Sequence, residues 1–396
     1  MQYRHELSAI GFGCMRFART KGAIDREKTE KQILRAFELG INYYDTAYIY
    51  PGSEACLGEI LERNHLREKV RIATKLPQYL IKSRAGIDKY FDEQLKRLRT
   101  DYVDNYLMHM LTDIDAWHKL QALGIEDWIA EKKKTGAIRN IGFSFHGNTE
   151  MFLKILDAYD WDFCQVQYNY MDEVSQAGRR GVEAAAAKGI PVIIMEPLRG
   201  GKLVDLLPQD AKDRIARDGE GRTAAELAFR WLWDQEAVTC VLSGMNSLEM
   251  VEENCRVASE ALPGCLSEKE HALIGALKDS INAKLKIGCT GCGYCMPCPK
   301  GVDIPGTFRC YNAMSVESKG AGRHEYFQTV ALRREAPFAG QCVGCGRCEK
   351  HCPQHLPIIQ TLKEADRALR PAPYRLAIGV ARRWLFRRKR KGAETA

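Results

Sequence analysis

Four side chains suited to proton transfer follow apolar stretches in the first 110 residues. Asp45 and Tyr50 lie in NYYDTAYIYP, Lys75 lies near the end of IATKL, and His109 ends VDNYLMH. A phenol with a pKa of about 10 is a poor proton donor near neutrality. A lysine cation would lower that pKa, a carboxylate would keep the lysine charged, and an imidazole would hydrogen-bond a carbonyl oxygen. The set therefore predicts acid catalysis on a carbonyl.

Positioning these four residues requires a fold that gathers strand ends. Segments predicted as helices, among them 26–39, 81–98 and 151–158, alternate with apolar runs. The predicted strands are Ile41–Tyr44 and the runs SAIGFGC, VRIATKL, VDNYLMH, IRNIGFS, DFCQVQY, IPVIIME and AVTCVLS. Eight such strands predict an α/β fold, a (β/α)8 TIM barrel whose strand carboxyl ends meet at one mouth. An open doubly wound sheet is disfavoured because no GxGxxG turn follows the first strand.

The same residues carry a resemblance to a known family. GINYYDTAYIY, ATK and YLMH are similar to motifs of the aldo-keto reductases, and the similarity covers about residues 5–260. It implies a catalytic tetrad of Asp45, Tyr50, Lys75 and His109. It also implies reduction of a carbonyl or similar unsaturated small molecule, with Tyr50 as proton donor. Taken singly, Asp45 would be a helix cap and His109 a core histidine; the combination favours catalysis.

The resemblance further implies residues that bind a nicotinamide coenzyme, NAD(P)(H). Gly13, Cys14 and Met15 match backbone contacts near the nicotinamide, and Ser144 and Gln165 match the side chains that hold its carboxamide. The remaining implied contacts are Met195, Leu198, Gly200, Gly244, Glu253 and Asn254. Met195 stands where many members stack a tyrosine, and a methionine can also pack against a ring. A glycine at 200 lets a pyrophosphate approach closely, although an ordinary flexible loop is the alternative.

This pattern departs from that of the family at the adenosine end. Members specific for the 2′-phosphorylated coenzyme usually carry a lysine and an arginine where this chain has Gly244 and Met250. Phe145 follows Ser144 where better-known members have asparagine. The choice between NADH and NADPH therefore stays open, and so does a flavin on this chain or on a partner.

Eight of the fifteen cysteines form two clusters in the C-terminal third. The stretch CTGCGYCMPCP supplies Cys289, Cys292, Cys295 and Cys298, and CVGCGRCEKHCP supplies Cys342, Cys345, Cys348 and Cys352. The spacing C-x2-C-x2-C-x3-C-P is typical of bacterial 4Fe–4S proteins and predicts two 4Fe–4S clusters. The first stretch has one residue fewer before its fourth cysteine, so the role of Cys298 stays open. Structural zinc is the alternative.

Similarity to two-cluster ferredoxins implies that the fourth cysteine of each stretch serves the other cluster. Cys352 would then complete the cluster of Cys289, Cys292 and Cys295, and Cys298 that of Cys342, Cys345 and Cys348. Predicted helices over 308–335 and in LPIIQTLKEADRAL resemble the α-helical ferredoxin modules of multi-domain oxidoreductases. Cys310, between the stretches, is predicted to be buried rather than ligating.

Composition sets the limits of this reading. The 396 residues are 45% hydrophobic and 28% charged, no apolar run is long enough to span a bilayer, and MQYRH does not begin a signal peptide. Clustered cysteines without a signal favour the reducing cytoplasm. The predicted segments are a barrel over 1–262, a helical connection over 263–286, a ferredoxin-like 4Fe–4S domain over 287–369 and a basic tail over 370–396.

The tail concentrates the positive charge. Nine basic residues and no acidic one lie between Arg370 and Lys391, whereas the whole chain nets +8. Interleaved Leu376, Ile378 and Trp384 predict contact with an anionic membrane surface or an acidic partner. A solvated, disordered tail is equally consistent with this composition. No nucleic acid binding is predicted, because no other feature supports it.

Together these features predict a cytoplasmic oxidoreductase, with peripheral membrane contact as an option, that acts on a small-molecule substrate. Hydride transfer moves two electrons together, whereas each cluster passes one, so a redox partner such as a ferredoxin or flavoprotein is expected. The alternative is an electron-transfer subunit whose barrel is mainly a scaffold.

Overall fold

Eight parallel strands close into a barrel, which confirms the predicted (β/α)8 TIM barrel. They are β1 (Ile10–Gly13), β2 (Tyr43–Asp45), β3 (Arg71–Leu76), β4 (Val103–Leu111), β5 (Ile138–Phe145), β6 (Phe163–Gln167), β7 (Val192–Met195) and β8 (Cys240–Ser243). Neighbours pair in chain order, and β8 pairs with β1. Both limits of β2 differ from the prediction. The strand begins at Tyr43 rather than Ile41, and it includes Asp45 because this residue pairs with Gly13 on one side and Ala73 on the other.

The computed structural model describes residues 1–147, 149–289, 291, 293–331, 337–352 and 354–385. By contact clustering the chain divides into two units. The barrel unit consists of Met1–Val204 and Ile215–Ile274, and the second unit of Asp205–Arg214 and the described residues from Gly275 onward. The four segments named from the sequence stay a prediction.

Helices alternate with the barrel strands, and side-chain caps define several of their starts. Asp25 caps the first helix by accepting a hydrogen bond from Lys28 N. Ser83 caps the helix predicted over 81–98, which begins at Arg84, three residues later than predicted, after a 3-10 turn at Gln78–Leu80. Up to residue 258 the helices are α1 (Arg26–Glu38), α2 (Ser53–Arg63), α3 (Arg84–Leu98), α4 (Ile114–Gln121), α5 (Ile125–Lys134), α6 (Thr149–Asp157), α7 (Gly178–Ala187), α8 (Lys202–Asp205), α9 (Gln209–Asp218), α10 (Ala224–Trp233) and α11 (Leu248–Ala258).

Buried side chains from six strands fill the barrel interior. Tyr43, Ala73, Leu107, Phe163 and Ile193 come from β2, β3, β4, β6 and β7, and β8 adds its own. Successive residues of a strand point to opposite faces, so the residue two positions further along each strand also faces inward. This interior layer therefore supports the side chains that lie two residues further along each strand, nearer the barrel mouth.

The second unit is helical around its cysteines. Its helices are α12 (Glu268–Asn282, which begins in the barrel unit), α13 (Ile304–Val316), α14 (Lys319–Tyr326), α15 (Arg347–Lys350), α16 (Ile358–Leu369) and α17 (Ala372–Leu385), with a π-helical turn at Phe327–Ala331. Residues 332–336 of the predicted helical stretch lie outside the described residues. Cys310 is fully buried, as predicted, and burial raises its pKa to about 12.

The first half of the tail is helical. Ile378 of α17 is buried with Tyr326 and Leu369, and the Arg382 guanidinium donates to Ala331 O over 2.6 Å. The disordered alternative therefore does not hold for Ala372–Leu385, because an apolar side chain on one helix face found a buried surface. Residues 386–396 lie outside the described ones. No helix in the described ranges is long and apolar enough to cross a membrane.

Candidate functional site

The predicted catalytic residues form one layer above the interior core. Asp45, Lys75 and His109 each lie two residues beyond a core residue of the same strand, namely Tyr43, Ala73 and Leu107. Gln165 and Met195 stand in the same relation to Phe163 and Ile193. Because the strands are parallel and in register, these side chains converge inside the barrel at its carboxyl-terminal end.

A buried ion pair forms the centre of this layer. The Lys75 ammonium lies 2.7 Å from both carboxylate oxygens of Asp45 and donates to Thr46 O over 2.7 Å. Lys75 is 1% exposed and Asp45 is 4% exposed. Burial raises the pKa of Asp45, and the attraction of Lys75 opposes that rise. Three hydrogen bonds hold the ammonium in one orientation.

Tyr50 and His109 lie beside this pair. The Lys75 ammonium is 5.5 Å from the centre of the Tyr50 ring, and that ring meets the His109 imidazole edge-on at 6.3 Å between centres. Tyr79 also lies near His109, with 6.3 Å between the ring centres. The structure thus brings the four predicted catalytic residues together.

The protonation states differ from one expectation. Burial of the phenol, followed by the charge of Asp45, raises the pKa of Tyr50 above its ordinary value. The sequence pattern had predicted the opposite, that Lys75 would lower this pKa. The ammonium is occupied by Asp45 and Thr46 and lies beside the ring, so the Tyr50 hydroxyl stays protonated at neutral pH. Burial, then the Lys75 charge, lowers the pKa of His109 to about 3, so its imidazole is neutral.

Gln165 offers an unsatisfied acceptor at the same depth. Its side chain hydrogen-bonds Asp45, and since a carboxylate only accepts, the amide nitrogen faces Asp45. The amide oxygen is buried and has no hydrogen-bond partner among the described residues. Buried polar atoms are normally paired, so this oxygen fits a bound donor such as a carboxamide NH2. Ser144, also buried, instead accepts from Met110 N over 2.8 Å.

The loop after β1 reaches the loops after β7 and β8. Gly13 ends β1, Cys14 is buried with its pKa raised by that burial, and Met15 is 59% exposed. Arg16, which was not among the coenzyme contacts predicted from the sequence, donates to Gly200 O over 2.9 Å. Its position directly after the Gly13–Met15 stretch, as a cation, was the signal that could have identified it.

Glycines at 200 and 244 make room for Arg16. Gly200 has φ +71°, and a Cβ there would lie 2.8 Å from the guanidinium; a Cβ at Gly244 would lie 3.2 Å from the Arg16 stem. Arg16 is therefore a cation at the two loops predicted to bind the coenzyme phosphates. The lysine and arginine of the family pattern are absent there, at Gly244 and Met250.

A second ion pair holds the loop after β7. Arg199 donates twice to Asp172, over 2.7 and 2.8 Å, and Gln167 and Asn169 donate to the same carboxylate. Glu196 and Arg199 both adopt left-handed backbone conformations, which are uncommon for residues with a Cβ. Asp172 thus stabilises a strained loop that carries the predicted contacts Leu198 and Gly200.

The remaining predicted coenzyme residues lie on α11. Asn254 is buried and donates to Ser243 Oγ at the end of β8 over 3.1 Å, and Glu253 accepts from Thr223 over 3.0 Å. Met250 is 46% exposed. Both polar side chains therefore have partners within the protein, and Met250 offers no charge to a phosphate.

In the second unit, the described cysteines line two cavities. The larger, of about 230 Å³, is lined by Cys295, Cys298, Cys342, Cys345 and Cys348. The smaller is lined by Cys289, Cys295 and Cys352. Cys292 lies outside the described residues. Cys298 therefore lies beside Cys342, Cys345 and Cys348, and Cys352 lies beside Cys289 and Cys295.

The donor set fits iron–sulfur clusters better than zinc. A four-iron cluster is larger than one ion, and thiolates around an apolar cavity suit it. Ile304, Phe308, Ile358 and Leu362 pack around these cysteines.

Comparison with known proteins agrees with the division of the chain into a barrel and a cysteine-containing unit. The aldo/keto reductase family matches residues 9–278, and a 4Fe-4S dicluster domain matches residues 288–356. L-galactose dehydrogenase of Arabidopsis thaliana is 26% identical over 64% of this chain and 85% of its own length. L-glyceraldehyde 3-phosphate reductase of Escherichia coli (strain K12) is 25% identical over 64% of this chain and 86% of its own length.

Solved structures show the same barrel. The holo form of an aldo-keto reductase from Bacillus halodurans superposes with a TM-score of 0.56 at 27% identity, covering 68% of this chain and 92% of that one. An aldo/keto reductase from Klebsiella pneumoniae in complex with NADP and acetate gives a TM-score of 0.53 at 25% identity, covering 69% and 92%.

Proposed function

Because the chain belongs to the aldo/keto reductase family and carries a C-terminal 4Fe–4S domain, we propose that it reduces a carbonyl or similarly unsaturated small molecule at the barrel mouth. Tyr50 is the proton donor and NAD(P)H the reductant. The observation that carries the proposal is the buried Lys75–Asp45 pair beside the Tyr50 ring. A buried charge pair of this kind costs desolvation energy, and such sites are characteristic of catalysis.

The side chains have distinct parts in the reaction. Tyr50 starts protonated, which is the form a donor needs, and passes its proton to the substrate oxygen. The Lys75 cation stabilises the phenolate that remains, and Asp45 keeps Lys75 in place. The neutral His109 imidazole donates a hydrogen bond to the same oxygen while negative charge develops on it. The coenzyme, when bound, supplies the hydride.

Coenzyme binding rests on the loops around β1, β6, β7 and β8. The unpaired Gln165 amide oxygen and the Ser144 hydroxyl would hold the carboxamide, and Met195 would pack against the ring. Arg16, beside Gly200, would face the pyrophosphate. Gly244 and Met250 stand where members specific for the 2′-phosphorylated coenzyme usually carry a lysine and an arginine, so these two positions give no preference for NADPH over NADH.

For the second unit we propose two 4Fe–4S clusters with exchanged fourth ligands. Cys352 completes the cluster of Cys289, Cys292 and Cys295, and the cavity lining supports this assignment. Cys298 likewise completes the cluster of Cys342, Cys345 and Cys348. The reducing cytoplasm keeps such thiolates available to iron.

Two further roles belong to this proposal. One-electron clusters need a one-electron partner, a ferredoxin or a flavoprotein, and a flavin would serve as the converter between hydride and single electrons. The tail helix α17 presents exposed Leu376 and Val380, which would contact an anionic membrane surface.

The test uses anaerobically purified protein that contains its iron. Oxidation of NADH and of NADPH is followed with a panel of aldehydes and ketones, for wild type and Tyr50→Phe. Because general acid catalysis contributes about 10²–10⁴-fold, Tyr50→Phe is expected to lose that factor with unchanged fold and iron content. Full turnover in Tyr50→Phe would contradict the proposal. No turnover with any carbonyl in the wild type would favour the alternative of an electron-transfer subunit.

A further inference from the structure

The second unit must exchange electrons through some part of its surface. Among the seven described cysteines of the two stretches, Cys345 alone is exposed, and it lines the larger cavity. Electron transfer between proteins needs a short path from cofactor to cofactor. The surface around Cys345 therefore brings a cluster in this cavity nearest to solvent.

Large apolar side chains surround Cys345. Tyr294 is 69% exposed, Val343 62% and Met296 38%, and all three line the same cavity. The sequence places them within the two cysteine stretches, beside the ligands themselves. Aromatic residues and methionine are enriched at the centres of protein interfaces, so this patch has the composition of a docking site.

The charge around the patch is positive. Lys300, Arg347 and His351 line the cavity, and Lys350, next to His351 in the chain, is exposed. Lys300, Arg347 and Lys350 form no ion pair with a residue in the described ranges. The one carboxylate in residues 294–300 and 342–352 is Glu349, which accepts from Ile359 N over 2.9 Å. A bound cluster with its thiolates is itself anionic, so these cations are what would let an anionic protein approach.

We propose that this surface docks an acidic one-electron carrier protein, an inference that rests on the cluster assignment above. We call it the Cys345 face, and its residues are Tyr294, Met296, Lys300, Val343, Cys345 and Arg347. One electron passes from the reduced carrier, which is oxidised, to the oxidised cluster, which is reduced. No bond forms or breaks, and no proton is required. Lys300 and Arg347 steer the acidic carrier, and the apolar patch makes the close contact.

The rival explanation is that the cations only offset the negative charge of the cluster. In that case reversing them would shift the reduction potential of the cluster and leave carrier binding unchanged. If the surface docks a carrier, reversing the cations should weaken carrier binding and leave the reduction potential of the cluster unchanged. The weakening should depend on salt, because electrostatic steering acts on association and is screened by ions.

The experiment uses the full-length, iron-loaded protein and a small acidic 2Fe–2S ferredoxin as the probe. Binding is measured by calorimetry at low and at physiological salt, and cluster reduction by stopped-flow absorbance with the reduced ferredoxin. The variants are Lys300→Glu and Arg347→Glu. Lys319→Glu, an exposed lysine of α14 away from the cavity lining, is the charge-matched control. Iron content and cluster potential are determined for every variant.

We expect saturable wild-type binding that weakens with salt, and a dissociation constant raised about tenfold by each reversal on the face, with Lys319→Glu within about twofold of wild type. No binding, salt-independent binding or equal effects of all three reversals would overturn the proposal. So would reversals that shift the potential alone. If clusters and Tyr50-dependent turnover are intact, such a result leaves the proposed function standing. Absence of clusters would overturn the docking proposal together with the cluster assignment on which it rests.

Discussion

The barrel mouth and the cysteine unit assemble their chemistry in different ways. In the barrel, Asp45, Lys75 and His109 come from three separate strands and meet because those strands are parallel and in register. In the second unit, consecutive cysteines of each stretch have at most three residues between them before any folding occurs. The barrel site therefore depends on long-range topology, and each cysteine trio depends mainly on local spacing.

The consequence is a difference in sensitivity to substitution. In the barrel a buried charge pair sits on a packed layer, so a change in one partner leaves an uncompensated charge in the interior. In the second unit, ligands line a cavity near the surface, so loss of one ligand is expected to affect one cluster more than the fold. Four experiments test this contrast, in order of expected effect.

The largest effect is expected from Lys75→Met. This change leaves Asp45 buried without its cation, which typically costs about 3–5 kcal/mol of unfolding free energy, and it removes the charge that stabilises the Tyr50 phenolate. Urea denaturation and carbonyl turnover should both show large losses. The double variant Asp45→Asn, Lys75→Met is the control, because it removes both charges. It should recover part of the stability and none of the turnover; equal stability of Lys75→Met and wild type would contradict the charge argument.

The exchanged fourth ligands can be tested by iron content. If the wild type holds about eight irons, Cys352→Ser should retain about four, because one cluster is lost. Adding Cys289→Ser to Cys352→Ser should cost no further iron, since both belong to the same cluster. Adding Cys342→Ser instead should remove nearly all of it.

Cys310→Ser is the matched control for these variants. Its thiol is buried and lines neither cysteine cavity, so it should keep its full iron content. The reverse pattern, with Cys352 grouping with Cys342 rather than with Cys289, would show that each stretch supplies all four of its own ligands.

A smaller effect is expected from pH, and only in the barrel. The native pKa of His109 is about 3, whereas an unfolded histidine titrates at about 6.5. Below about pH 6.5 the unfolded chain therefore binds a proton that the native state does not bind. The free energy of unfolding consequently decreases as the pH is lowered. Between pH 7 and pH 5 this amounts to about 1–2 kcal/mol. Wild type should lose that much relative to His109→Gln in urea denaturation; parallel losses in the two proteins would refute the shifted pKa.

The smallest effect concerns the tail helix. Leu376 and Val380 are 72% and 60% exposed on α17, whereas Ile378 is buried. Leu376→Ser with Val380→Ser should change the unfolding free energy by less than about 0.5 kcal/mol, as surface changes usually do. Binding to vesicles of anionic lipid should nevertheless be lost. Ile378→Ser is the contrasting variant and is expected to destabilise the second unit. If the Leu376→Ser, Val380→Ser variant still binds vesicles, α17 does not have the proposed membrane role.

The strand pattern was sufficient to predict the barrel and the position of most site residues. Period-two alternation after Tyr43, Ala73 and Leu107 places Asp45, Lys75 and His109 on the inward face, and parallel strands do the rest. The error over β2 was one of boundary, since Asp45 closes the strand by pairing with both neighbours. Helix limits shifted for the same kind of reason, as at Ser83, where a cap and a preceding turn delay the start.

The sequence by itself determined residue types and local spacing: two cysteine trios, three tetrad residues on successive strands with Tyr50 in the loop after the first of them, and cationic and apolar residues in the tail. Only the tertiary structure decided which groups are buried and paired. Burial set the protonation of Tyr50 and His109, and it outweighs the Lys75 cation that was expected to lower the pKa of Tyr50. Packing also brought Arg16 to Gly200 and Cys352 to Cys289. Charge states and long-range neighbours follow from solvent exclusion and chain topology, which no local pattern encodes.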